Sequence, residues 1–239
     1  MPRRWNNLFE QVAAFPNLLH AARKARQGCG RTDEACRFHF HLESEICRLE
    51  MELRDGSYRP GPYRQFKVYD PKERTITVAP FRDRVVHHAV VQILTPLYER
   101  KFIHDSYATR PGKGTHKAIL RAREFCRRHE WYLKADILHF FENVCHDILM
   151  AALERSIKDR RLLDLMNVII RSMSPGLPIG NLTSQFLANV YLDRLDHVIK
   201  DDWGIRGYVR YMDDFVLFGP ERGNLSLLEG RLDDLLTDC

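Results

Sequence analysis

The sequence predicts a mixed α/β (α+β) fold, with a small antiparallel sheet packed against helices. Three observations predict it. Long stretches carry apolar residues at steps of three and four, the helical repeat. One short apolar run, residues 131–137, carries a carboxylate near its end. Two apolar or aromatic runs, 207–210 and 215–218, flank paired acids in the manner of a β-hairpin. With 239 residues, 44% of them hydrophobic, the chain can bury a sizeable core. It has no run of about 18 apolar residues, so no membrane span is expected. The start lacks the apolar stretch of a secretory signal.

The elements follow from local signals. Residues 5–27 read as helical, with a break near Pro16. A second helix is expected over 33–54, because Ala35, Phe38, Leu42, Ile46, Leu49 and Leu53 share one face. Thr32 suits its N-cap and Gly56 its stop. A turn-rich linker, 58–63, leads to two short strands, 64–68 and 74–78, joined by a turn at 70–73. Residues 82–102 read as a long helix, 109–115 as a glycine-bearing loop and 116–129 as another helix. Residues 131–137 read as a buried strand. Helices at 146–158 and 160–173, a Pro-Gly segment at 175–180 and a long helix at 182–200 precede the hairpin.

Net charge is +5, from 37 Lys and Arg against 32 Asp and Glu. That is mild, but the cations cluster between Arg100 and Arg128, among them Lys101, Arg110, Lys113, Lys117, Arg121, Arg123 and Arg127. Such clustering suits either phosphate contacts or a solvated basic face. The six cysteines form no Cys-x-x-Cys pair and read as reduced thiols. Cys36, His39, His41 and Cys47 crowd one segment, but their spacing matches no standard zinc site, and helical packing is the expectation.

The chemistry centres on acids. Asp213 and Asp214 are adjacent carboxylates between apolar strands, so each raises the pKa of the other unless a cation is near. Hard oxygen ligands suit Mg²⁺; an ordinary Asp-Asp turn is the plain alternative. Asp136 follows another strand. If that strand neighbours the hairpin, Asp136 and Asp213 can share two metals about 3.5–4 Å apart. Its alternative role is an N-cap for the residues that follow. Gly180, Ser184 and Gln185 open a helix and suit either a ligand contact or a cap. Lys72, Arg74, Arg110 and Lys113 can grip phosphate oxygens or serve as surface charges. No Walker-type loop is present.

In this order the segments resemble a reverse transcriptase. Tyr211-Met212-Asp213-Asp214 resembles that family's catalytic signature, and Asp136-Ile137-Leu138-His139-Phe140-Phe141 its first catalytic box. Phe81-Arg82-Asp83-Arg84-Val85-Val86 and Ser106-Tyr107-Ala108-Thr109-Arg110-Pro111-Gly112 resemble the fingers motifs of bacterial and group II intron-type enzymes. The resemblance implies a right-hand polymerase: an N-terminal helical region over 1–57, fingers over 58–130 and palm over 131–239, with the thumb absent. It implies Asp136, Asp213 and Asp214 as catalytic carboxylates. With Ile137 they would hold two Mg²⁺, Mn²⁺ being the alternative ion. It further implies dNTP contacts from Lys72, Arg74, Arg110, Phe141, Gly180 and Gln185, with Phe141 as a steric gate against a ribose 2′-hydroxyl. Arg84, Lys113, Tyr211 and Met212 would touch template or primer. The implied partners are an RNA template, a DNA or RNA primer, dNTPs and a small basic accessory protein, but no membrane. The implied setting is the cytoplasm, with bacterial or phage coding.

One segment sharpens the subfamily. Many reverse transcriptases read Gln-Gly-x-x-x-Ser-Pro at the fourth motif, whereas this chain reads Ile179-Gly180-Asn181-Leu182-Thr183-Ser184-Gln185. That form resembles the enzymes of diversity-generating retroelements, which make error-prone cDNA. Group II intron-type and defence-associated enzymes are the alternatives, as is a maturase-like RNA-binding scaffold with vestigial catalysis. An RNA-templated RNA polymerase is disfavoured by Tyr211-Met212 and by Phe141.

Overall fold

The computed structural model describes residues 4–27, 32–69, 73–173 and 175–237. The N-terminal helices are α1 (Phe9–Ala13), α2 (Phe15–Gln27), α3 (Asp33–Phe40) and α4 (Leu42–Asp55). The hairpin β1 (Arg64–Tyr69) and β2 (Glu73–Val78) follows, then α5 (Phe81–Tyr98) and α6 (Thr115–Cys126). Next come β3 (Trp131–Asp136), α7 (Phe140–Asn143), α8 (His146–Ser156), α9 (Arg160–Arg171) and α10 (Leu182–His197). A π-helical turn (Val198–Asp202), β4 (Tyr208–Tyr211), β5 (Asp214–Gly219) and α11 (Arg222–Thr237) complete the order.

The expected elements are present, with informative shifts. The first helical stretch breaks at Ala14, whose ψ is 135°. Pro16 then falls in the first turn of α2, where a missing N–H costs little. The helix expected over 33–54 divides at His41. The break re-aims its apolar faces: Phe38 of α3 stacks edge-on with Phe81 at 5.1 Å, while α4 packs on α1 and α2. Thr32 caps α3 by accepting from the Ala35 amide, and α4 ends at Gly56 with φ 77°. Pro96 lies inside α5, which stops at Tyr98 rather than running to 102. Cys36 and Cys47 are exposed free thiols, so the helical packing expected of them is carried by neighbours such as Ala35, Phe38, Ile46 and Leu49.

Buried Asp159 ties the two ends of the chain's helical half together. One carboxylate oxygen accepts from the amides of Leu8 and Phe9 at 2.7 and 2.8 Å, and the other caps α9 at the Leu162 amide. Helices α5 and α10 are buried around most of their circumference and pack on each other. One apolar core runs from Leu8 to Leu232 through all three sequence segments. A smaller cluster, including Phe125, Val209 and Phe218, lies under α6.

Among the described residues there are two sheets, the β1–β2 hairpin and an antiparallel sheet of order β3-β5-β4. The run at 131–137 was expected to be a buried strand, but β3 is an edge strand. Trp131 is 44% and Tyr132 66% exposed. Its apolar composition therefore reflects one packed neighbour rather than burial on both faces.

Candidate active site

The sheet register assembles the acids. Asp136, the last residue of β3, pairs with Asp214, the first of β5, and Asp214 also pairs with Tyr211 at the end of β4. Met212 and Asp213 are thus a two-residue turn between β4 and β5. The Ile137 amide reaches the Asp213 carbonyl at 3.4 Å. All three carboxylates therefore belong to one end of one sheet. Asp136 and Asp214 are exposed, and Asp213 is half-buried. Asp136 caps no helix, because His139 precedes α7 in the left-handed region.

The electrostatics suit a cation. Burial first, then the charges of Asp136 and Asp214, hold the Asp213 carboxyl above the ordinary carboxylate range. Its own backbone amide and the guanidinium of Arg74 offset this in part. Lys134 lies 3.6 Å from Asp214. Among the described residues, no group of three His, Cys, Asp or Glu side chains is gathered tightly enough to cage a metal.

Beneath the turn is a network that the sequence reading missed. Arg210 is wholly buried beside wholly buried Asp196. Its Nε and Nη2 donate to the two Asp196 oxygens at 2.7 and 2.6 Å. Its Nη1 donates to Asn189 Oδ1 at 3.0 Å and to the Met212 carbonyl at 2.9 Å. Tyr208 donates its hydroxyl to Asp196 at 2.7 Å. Burial alone would lower the Arg210 pKa, but Asp196 outweighs it and holds the guanidinium charged. Removing one partner of such a pair typically costs about 3–5 kcal/mol. The available signal was a cation alternating with Tyr208 on one face of an apolar strand.

The expected nucleotide contacts divide. The charge of Arg74 acts on Asp213, which brings β2 to the acids. Lys72 lies outside the described residues. Phe141 is half-buried and packs edge-on against Phe140 at 5.3 Å. Its carbonyl accepts from the Leu177 amide at 2.6 Å. Gly176, at φ 61°, passes so close that a Cβ there would lie 2.3 Å from the Phe141 carbonyl oxygen. Gly180, at φ 114°, abuts Ile76 and Thr77 of β2 in the same way. Its lack of a side chain thus serves packing of the hairpin base, where the Thr77 amide also donates to the Ile179 carbonyl. Exposed Gln185 accepts from Thr109 at 3.3 Å, joining α10 to the glycine-bearing loop.

Arg110, the residue expected at the triphosphate, has internal partners. Its side chain is 4% exposed. It forks onto Glu99, donates to the carbonyls of Ile103 and Ser106, and stacks on Phe102. Arg110 therefore shapes its loop from within. Lys113 donates to the His104 carbonyl and sits 4.9 Å over the Tyr107 ring. Arg84 lies on α5 over the Phe81 ring, with a buried Nε that has no partner. Tyr211 is exposed and accepts from the Thr115 hydroxyl at 3.0 Å. Met212 has φ 59°, a costly conformation for a residue with a side chain. Arg121 of the basic cluster likewise pairs with buried Asp105, whereas Lys101, Lys117, Arg123 and Arg127 are exposed.

Known proteins resemble this chain in sequence and in fold. The family described as "Reverse transcriptase (RNA-dependent DNA polymerase)" matches residues 67–237. Protein YkfC of Escherichia coli (strain K12) is 30% identical over 74% of this chain and 59% of its own length. The group II intron-encoded protein LtrA of Lactococcus lactis subsp. cremoris is 28% identical over 66% of this chain and 28% of its own length. The chain thus spans little more than half of one relative and under a third of the other. A solved structure, a partial Cas6-RT-Cas1--Cas2 complex, matches 97% of this chain and 43% of its own with a TM-score of 0.55. At 20% identity that likeness concerns the fold. No helix among the described residues is long and apolar enough to cross a membrane.

Proposed function

Because this chain belongs to the reverse transcriptase family, we propose that it carries the nucleotidyl-transfer site of an RNA-directed DNA polymerase. The observation that supports this best is the pairing of Asp136 with Asp214 beside the Asp213 turn. In the reaction a primer 3′-hydroxyl attacks the α-phosphate of a dNTP. A new P–O bond forms, the bond to the β-phosphate breaks, and pyrophosphate leaves.

Asp136, Asp213 and Asp214 would hold Mg²⁺, the Ile137 carbonyl being a further oxygen within the same motif. When bound there, Mg²⁺ supplies activation of the attacking hydroxyl and charge stabilisation at the leaving oxygen. Arg74 meets phosphate charge, consistent with its influence on Asp213. Phe141 occupies the space of a 2′-hydroxyl. Gly180 and Gln185 border the nascent base pair, while Arg84, Lys113, Tyr211 and Met212 guide template and primer. Arg110 acts indirectly, by holding the loop that presents Thr109 to Gln185.

The segment from Ile179 to Gln185 favours a diversity-generating retroelement, in which the enzyme works with its own template RNA and a small basic protein. A second reading, an intron-encoded enzyme, is favoured by the likeness to LtrA. Flanking DNA separates them: imperfect repeats differing at adenines mark the retroelement, and intron RNA structure marks the other.

The test is extension of a primer on an RNA template by the chain with Mg²⁺ and either dNTPs or NTPs. DNA synthesis is expected. Extension only with NTPs, or RNA binding without extension, would replace the proposal with an RNA polymerase or a scaffold.

A further inference from the structure

We propose that Arg210 is a positioning residue for the catalytic turn, and that the buried Asp196–Arg210 pair aims Asp213 and Asp214 from beneath the sheet. The inference rests on reading those two acids as catalytic.

A buried ion pair is a costly way to fill a core, since well-packed apolar residues often serve stability as well. Its place directly under the turn calls for a use beyond packing. The strand itself does not need the guanidinium. The Arg210 amide donates to the Asp105 carbonyl, and its carbonyl accepts from the Tyr107 amide, both at 2.9 Å. Those bonds fix β4 whatever the side chain is. The distinctive product of the guanidinium is its bond to the Met212 carbonyl.

That carbonyl is the lever. The peptide joining Met212 to Asp213 is planar, so fixing its oxygen fixes the direction of the Asp213 amide and Cα. Met212 stands at φ 59°, where a side chain is strained and a competing conformation would otherwise be preferred. A charge-assisted bond offsets that preference. Arg210 is itself oriented: Asp196 takes two of its nitrogens in a fork, Asn189 takes a third contact, and Tyr208 donates to the Asp196 oxygen that Nε also meets. The chain of contacts runs from α10 through Asp196 and Arg210 to the turn. Lysine keeps the charge but offers no planar fork, so it cannot hold Asp196 and Met212 in the same geometry.

The test uses Arg210→Lys and, because that variant can fail to fold, the paired replacement Arg210→Met with Asp196→Leu. The pair removes both charges at once and leaves no orphaned ion. Amide hydrogen exchange is measured at Met212 and Asp213, with Phe215 and Leu217 of β5 as internal controls. Mn²⁺ binding is followed by water-proton relaxation, and kcat and KM for a dNTP by single-nucleotide extension. The expected result in a folded variant is exchange at least tenfold faster at 212–213 with β5 unchanged. Mn²⁺ binding weakens, and kcat falls at least tenfold while KM stays within threefold. Wild-type exchange and kcat in either folded variant overturns the proposal, as does exchange that quickens uniformly across β5. If the unmodified chain extends no primer, the functional reading fails, while exchange and Mn²⁺ binding still decide the role of Arg210.

Discussion

Asp136 and Asp214 face each other across the β3–β5 ladder, the last residue of one strand opposite the first of the next. This pairing turns two sequence motifs nearly eighty positions apart into one site. It depends on register, because a slip of one residue sends Asp136 to the other face of the sheet. The alternation that places Leu133 and Ala135 towards the core therefore also fixes which way the acid points.

The proposed gate makes a prediction about sugar choice. Its ring is half-buried against Phe140, and its backbone is pinned by Leu177. Filling a rigid site with an extra group costs about 1–3 kcal/mol, so a gate there would disfavour a 2′-hydroxyl tenfold or more. Phe141→Ala is expected to raise the rNTP-to-dNTP incorporation ratio by about that factor. A destabilised variant with an unchanged ratio would make Phe141 a packing residue only.

Gly176 packs against the Phe141 backbone. At φ 61°, with a would-be Cβ 2.3 Å from the Phe141 carbonyl, the position is closed to any side chain. Gly176→Ala is expected to lower stability by about 1–3 kcal/mol and to relax sugar discrimination through displacement of Phe141. Thermal unfolding and the same incorporation ratio measure both effects. A stable variant with normal discrimination would disconnect the loop from the gate.

Acid sensitivity should come from α5. Burial, then the charges of His88 and Arg84, pulls His87 down to about 3. Burial, Lys24 and Arg84 pull His88 down to about 4. The unfolded chain binds these protons near pH 6.5, so below that pH it holds more protons than the folded chain. Stability therefore falls as pH drops from about 6.5 towards these folded values. Buried Asp105 is held low by Arg121 and Lys200 against the effect of its burial, so its loss comes at more acidic pH. The melting temperature of His87→Gln should depend less steeply on pH between 6.5 and 4.5 than that of the unmodified chain. Parallel slopes would remove His87 from the explanation.

Much of this was legible in the sequence, for identifiable reasons. The strand ending at Asp136 and the hairpin around Asp213 have strong local patterns, so their existence was clear even though β3 proved to be an edge. What was not legible shares a cause, which is tertiary partnership. Arg110 sits in a motif that suggests phosphate, yet Glu99 eleven residues earlier claims it. Gly180 invites a ligand reading, and its close approach to Ile76 on a distant hairpin had no signal of its own. Arg210 reads as an interruption in an apolar run until Asp196, on another element, supplies its counter-charge. The division at His41 and the early end of α5 depend on packing as much as on helix periodicity.

The most direct measurement is the single-turnover rate of primer extension by Asp136→Asn beside its melting temperature. Asp136 is exposed and caps no helix, so its replacement should change stability by no more than about 0.5 kcal/mol. If the carboxylates at the sheet end carry the chemistry, the rate should fall by about 10²–10³ or more, the scale on which one electrostatic catalytic group acts. A folded Asp136→Asn chain that extends primers within a few-fold of the unmodified rate would contradict the assignment of Asp136, Asp213 and Asp214 as the catalytic site.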